Sequence, residues 1–185
     1  KIILTQKELS EALKKEAKKQ GFQPVGIARV PGSQRLSLRT AALERWLEAG
    51  NEAQLGWMHA PRRHSAETLL NGVQSILAVG LNYYVNKTKP IKSLSIARYA
   101  WGNDYHRVIE KRLKKIGLWL ESQRPNVQWR ICVDSSPLLE KAWAEEAGLG
   151  WIGKHSNVIN KQRGSWMTLG YLLMTEALIP DEPSK

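Results

Sequence analysis

Apolar side chains mark out the elements of this chain before any other signal is needed. Leu9, Leu13 and Ala17 recur at helical spacing. Thr5 and Glu8 precede them in capping-box spacing and Gly21 follows, so a first helix is predicted between Thr5 and Gly21. Residues 22–30 (FQPVGIARV) read as a strand. A second helix is predicted over 40–49, closed by Gly50, a short third one over 51–59, and a helical turn over 65–70. Residues 74–85 (QSILAVGLNYYV) carry the clearest strand pattern, and a further strand is expected over 95–100. Asp104 caps the longest helix, 105–122, with Val108, Ile109, Leu113, Ile116 and Leu120 on one face. A strand over 127–133 follows. Ser136 then reads as the cap of a helix with Pro137 at its first position and Gly148 at its end. Residues 151–159 and 165–175 read as a strand pair joined by 160–164. Helices and strands are mixed without strict alternation, and the late hairpin calls for antiparallel pairing. The expected class is α+β, a mixed and largely antiparallel sheet flanked by helices.

Composition narrows the function. With 185 residues, 42% hydrophobic and 24% charged, the chain suits one folded domain, set here at 1–179. Residues 180–185 are polar and proline-bearing and read as a linker. The single cysteine, Cys132, lies between apolar neighbours and is expected to be a buried thiol, so no disulfide framework or Cys-rich metal site can form within the chain. His59, His64 and His155 are too scattered for a metal site. The apolar run at Ile2-Ile3-Leu4 is too short for a signal peptide, and no window approaches a membrane-spanning length. A cytoplasmic monomer with no membrane partner is expected.

The net charge is +11. Between Lys87 and Lys115 nine Lys or Arg face only Asp104 and Glu110. Such a stripe suits a polyphosphate partner, and a solvated helix face accounts for it equally well. Eight Trp and five Tyr against one Phe suit either a large, partly wet cavity or an ordinary core.

Three local signals bear on chemistry. Gly148-Leu-Gly-Trp-Ile-Gly153 matches the dinucleotide fingerprint G-x-G-x-x-G, but a helix precedes it and a strand follows, the reverse of what a pyrophosphate needs. It reads as a helix C-terminus whose glycines still allow close approach to a flat ligand. Asp134 ends a strand just ahead of a helix. Taken alone it is a cap or a turn residue, but with Ser136 as the cap it is spare. Beside a cavity its carboxyl is expected to be desolvated and able to act as a general acid. Finally, Arg98-Tyr-Ala-Trp-Gly-Asn-Asp-Tyr105-His106 leads into the basic helix and places Tyr105 and His106 in its first turn.

Together, the runs 133–140 (VDSSPLLE), 147–154 (AGLGWIGK), 160–165, Leu169-Gly170, 98–106 and 81–84 (LNYY) resemble the epoxyqueuosine reductases over nearly the whole chain. The resemblance implies a nitroreductase-like, cobalamin-binding domain, similar to those of cobalamin-processing chaperones and reductive dehalogenases. It implies reduction of epoxyqueuosine to queuosine at the tRNA wobble position with base-off cobalamin. Asp134 is then the proton donor, and Arg63, Ala97, Asp134, Val158 and Leu169 contact the corrin. Tyr105 and His106 lie near the site or the anticodon stem-loop of the tRNA. The usual Asp-Thr-Gly or Asp-Thr-Ala is Asp134-Ser135-Ser136 here. The family continues into two Cys-rich runs that ligate [4Fe-4S] clusters, and this chain has none, so both clusters are expected downstream in a ferredoxin-like domain. The rival readings are a cobalamin-processing module without a tRNA role, a flavin-dependent reductase and a purely structural RNA-binding protein.

Overall fold

The computed structural model describes residues 3–60, 65–86 and 96–184. Helix α1 (Gln6–Lys19) opens with the expected capping box, Thr5 and Glu8 each satisfying the other's backbone N–H. Strand β1 (Val25–Arg29) follows, then α2 (Gln34–Glu48). Helix α2 starts six residues before the expected position, because Ser33 is its cap and accepts from the Arg35 N–H at 3.2 Å. Thr40 instead lies inside the helix, its hydroxyl donating to the Leu36 carbonyl at 3.2 Å. The short third helix is a turn ending in a 3-10 segment, Gly56–His59. Strand β2 (Ser75–Asn82), helix α3 (Tyr105–Gln123) and strand β3 (Trp129–Cys132) fall where the pattern puts them. They are followed by α4 (Glu140–Glu146), β4 (Trp151–Ile152), β5 (Val158–Ile159) and β6 (Met167–Met174).

Two strand expectations fail. Residues 96–100 are not a strand but a 3-10 turn at Arg98–Ala100, closed by the Trp101 indole donating to the Ile96 carbonyl at 2.7 Å. The 151–175 region is not one hairpin. β4 pairs with β5 in a small sheet of its own, and β6 joins the main sheet. The apolar run of β6 explains this, because it is buried on both faces and needs a partner strand on each side.

The main sheet has the order β1-β2-β6-β3, antiparallel throughout. Alternate residues feed two cores. Ile27, Leu77, Val79, Leu172 and Met174 face α1 and α3, while Ala28, Ile76, Ala78, Tyr171 and Leu173 face α4. The expected α+β class therefore holds, with helices on both faces. Gly117 lets α3 lie close, since a Cβ there would sit 2.6 Å from the Trp129 ring. Cys132 is buried as expected, and desolvation raises its thiol pKa. Residues 181–184, expected as linker, pack on the domain. Asp181 pairs with Lys14 at 2.8 Å and exchanges hydrogen bonds with the Ile27 backbone, and the Ser184 N–H donates to the Glu145 carbonyl at 3.1 Å. No helix among the described residues is long and apolar enough to cross a membrane.

Candidate active site

Antiparallel pairing brings the ends of β2 and β3 beside the start of β6, and α3 begins at the same edge. A cavity of about 270 Å³ opens there. Tyr83 follows β2, Asp134 follows β3, Tyr105 opens α3, and Met167, Thr168 and Leu169 open β6. Glu140, Lys141, Asn157 and Val158 complete much of its wall.

Asp134 has φ +47°, a left-handed conformation that is uncommon for a residue with a Cβ. The Glu140 carboxylate accepts from its N–H at 2.6 Å and ties the turn to α4. This use of residues 134–139 delays α4 to Glu140. Ser136 does not cap it, and the N-cap position, Leu139, offers no side-chain cap. The Asp134 carboxylate meets His106 Nε2 at 3.0 Å, and His106 Nδ1 meets Asp104 at 2.8 Å. Asp104 also caps α3, accepting from the His106 N–H at 3.0 Å. Tyr105 stacks on His106, their ring centroids 3.9 Å apart.

This arrangement shifts several titrations. Hydrogen bonds to Asp134 and then Asp104 hold His106 above the usual histidine range. Desolvation, then the neighbouring Asp134 carboxylate, pushes the Tyr105 hydroxyl up to about 12. Desolvation pushes Glu140 up to about 7, against the opposing effect of the Asp134 N–H. The desolvation expected of Asp134 is not seen in the chain alone, where its side chain is 61% exposed. The acid drawn into the cavity wall is Glu140, which is half-buried. Its position in the VDSSPLLE run was visible, but nothing in its spacing signalled that it would fold back under Asp134.

The other expected site residues divide. Val158 on β5 and Leu169 on β6 line the same cavity as Asp134 and Tyr105. His106 joins them through its bond to Asp134. Ala97 leads the Arg98–Ala100 turn and does not line this cavity. Arg63 lies outside the described residues, as do Lys87, Lys89 and Lys92 of the basic stripe. Of the rest of that stripe, Arg107, Lys111, Lys114 and Lys115 are exposed on α3. Tyr83 and Tyr99, which lie in the runs 81–84 and 98–106, and Asn157 join the wall beyond the expected site residues.

The glycines of 148–153 serve packing. Gly148 (φ +76°) and Leu149 close α4 in a Schellman motif, donating to the carbonyls of Glu145 and Ala144 at 3.1 and 2.9 Å. A Cβ at Gly150 would lie 2.2 Å from the Ile159 carbonyl oxygen. The close approach expected for a flat ligand is taken up by the protein's own backbone.

Known proteins resemble the chain in both sequence and fold. The family profile described as "Epoxyqueuosine reductase QueG, DUF1730" matches residues 63–135. The chain is 61% identical over 180 residues to the epoxyqueuosine reductase of Synechococcus sp. (strain CC9605), covering 97% of this chain and 56% of that protein. A crystal structure of epoxyqueuosine reductase with a tRNA-Tyr epoxyqueuosine-modified stem loop superposes with a TM-score of 0.84 at 25% identity, over 96% of this chain and 48% of that one. A reductive dehalogenase whose structure suggests a mechanism for B12-dependent dehalogenation shares the fold, with a TM-score of 0.60 at 16% identity, over 100% of this chain and 21% of that one. The chain thus spans about half the length of the curated relatives it matches. Over that stretch, this chain belongs to the epoxyqueuosine reductase family.

Proposed function

We propose that this chain supplies the cofactor and substrate site for reducing epoxyqueuosine to queuosine in tRNA. The observation that carries the reading is the Asp104–His106–Asp134 hydrogen-bonded row, set at the mouth of a cavity walled by Val158 and Leu169. The relative solved with a modified stem loop and the fold shared with a B12-dependent dehalogenase support the same reading.

The wall fits a flat, largely apolar ligand. Val158, Met167 and Leu169 give it an apolar side, and Asn157, Ser165 and Thr168 give it polar groups. At about 270 Å³ it is smaller than most pockets for drug-sized ligands, so a corrin would lie across its mouth rather than inside it. Val158, Leu169 and Asp134 would touch the ring, and Ala97 would reach it from outside this cavity. When bound and reduced by a low-potential electron donor, cobalamin supplies electrons to the epoxide carbon. The two [4Fe-4S] clusters of a further region would be that donor.

The overall change takes up two electrons and two protons. Both carbon–oxygen bonds of the epoxide break, a carbon–carbon double bond forms, and the oxygen leaves as water. The protein's part is the proton. Asp134 donates to the oxygen as its bond to carbon breaks, and an apolar ring covering Asp134 favours the neutral acid that this needs. His106 Nε2, 3.0 Å away, restores the proton, and Asp104 favours the imidazolium. The exposed cations of α3 attract the anionic RNA without selecting its sequence.

An anaerobic absorbance titration of the chain with cob(II)alamin tests the cofactor half. A blue shift of the cobalt band, altered in Asp134→Ala, is expected on release of the lower base. An unchanged spectrum, both here and in a longer chain with the cluster region, rejects it.

A further inference from the structure

A second cavity, of about 420 Å³, lies against the first. The end of β2, the turn from Arg98 to Asn103 and the start of α3 enclose it. Tyr83, Tyr99, Tyr105 and Thr168 line both cavities, so three tyrosines form a shared wall. Their rings meet edge to face, Tyr99 lying 6.3 Å from Tyr83 and 6.0 Å from Tyr105. The row continues from Tyr83 to Trp166 at 5.8 Å and from Trp166 to Tyr84 at 5.4 Å. Edge-to-face packing leaves ring faces available for stacking, and Tyr99 is 50% exposed. The Arg98 guanidinium sits over Tyr84, Trp166 and Trp101 at 5.2, 5.3 and 5.6 Å. No carboxylate among the described residues forms an ion pair with it.

We propose that this second cavity receives an unstacked RNA base, the neighbour of the nucleotide that reacts at Asp134, with Arg98 engaging its phosphate or edge. The inference rests on the function proposed above. A nucleotide that leaves its stack to enter the first cavity deprives its neighbour of a stacking partner, and aromatic faces replace that partner for any base. The shared tyrosine wall sets the two cavities side by side. The space is ample for one base. A planar cation laid over aromatic rings, with exposed Arg107 and Lys111 on the adjoining helix, suits an anionic aromatic ligand and gives a neutral apolar one no advantage.

Gly102 provides a clean test. It lines only the second cavity, its φ is not positive, and a Cβ there would meet nothing within 4 Å. Gly102→Leu therefore adds bulk at the edge of that space without meeting packed atoms. Fluorescence anisotropy of a labelled epoxyqueuosine-type stem-loop should show about tenfold weaker binding to Gly102→Leu and near-native binding to Gly102→Ala. Tyr99→Leu should lose a similar factor that Tyr99→Phe retains, which separates stacking from mere space. Binding of a duplex RNA without a loop should not change. Stem-loop binding by Gly102→Leu and Tyr99→Leu at the wild-type level overturns the inference and leaves the proposed function standing. A loss of cob(II)alamin binding in Gly102→Leu, with RNA binding intact, also overturns it, because the cavity then holds part of the cofactor. Failure of the wild-type chain to bind the stem-loop even at low salt removes the inference and the tRNA reading together.

Discussion

Two turns of this molecule look as if their roles had been exchanged. The 148–153 turn carries three glycines in the pattern of a nucleotide-binding loop, yet those glycines close α4 and let β4 approach β5. The 134–139 turn has no glycine, yet Asp134 takes a left-handed conformation there and its carboxylate reaches His106. A glycine match says that backbone passes close to something, and the something is often the protein itself. A left-handed residue that is not glycine has to be held in place by its surroundings, and such residues gather at functional sites. Here Glu140 holds it through the Asp134 N–H.

The contrast can be broken experimentally. The largest expected effect is at the glycine-rich turn. Gly150→Ala forces a Cβ to 2.2 Å from a backbone oxygen and should cost about 3 kcal/mol or more in urea denaturation, since backbone cannot swing aside as a side chain does. A cost below about 1 kcal/mol would mean that the turn is looser than the packing implies. The next effect is at Glu140 and depends on pH. Its folded pKa, about 7, is raised above the 4.5 of the unfolded chain, so the native state binds the extra proton between those values. Wild-type stability should therefore fall as pH rises from about 4.5 to 7, by up to about 3 kcal/mol from this group. Glu140→Gln keeps an acceptor for the Asp134 N–H and should remove that part of the slope. Matching slopes in the two proteins would place the Glu140 carboxyl in water rather than under the turn. The smallest effect is Asp134→Gly. Relief of the left-handed strain offsets the loss of an exposed ion pair, leaving stability within about 0.5 kcal/mol of wild type. A loss of 2 kcal/mol or more would make Asp134 a structural residue.

The sequence disclosed what periodicity governs. The stripe of α3, the capping box of α1 and the doubly buried β2 follow from local rules that the sheet does not override. Asp134, Tyr105 and His106 were singled out, and the fold brings them together. What could not be read depends on contacts between distant residues. β6 forsakes the local hairpin because β2 and β3 offer it partners on both sides. Ser136 gives up its capping role because the chain around it is committed to the Asp134 turn. The tyrosine wall unites residues 83, 99 and 105, which share no periodicity. Ser33, by contrast, is a cap of ordinary local chemistry that lies ahead of the expected helix start at residue 40.

The most direct test of the account is a single-turnover assay of the chain, joined to its cluster region if cob(II)alamin binding requires it. The protein would carry cobalamin reduced by an excess of a low-potential chemical donor, and an epoxyqueuosine stem-loop would be the substrate for wild type and for Asp134→Asn. The account predicts queuosine formation by wild type. It predicts a rate at least about a hundredfold lower in Asp134→Asn, with the cofactor still bound, because the amide accepts the same contacts but has no proton to give. Conversion by Asp134→Asn at the wild-type rate would contradict it.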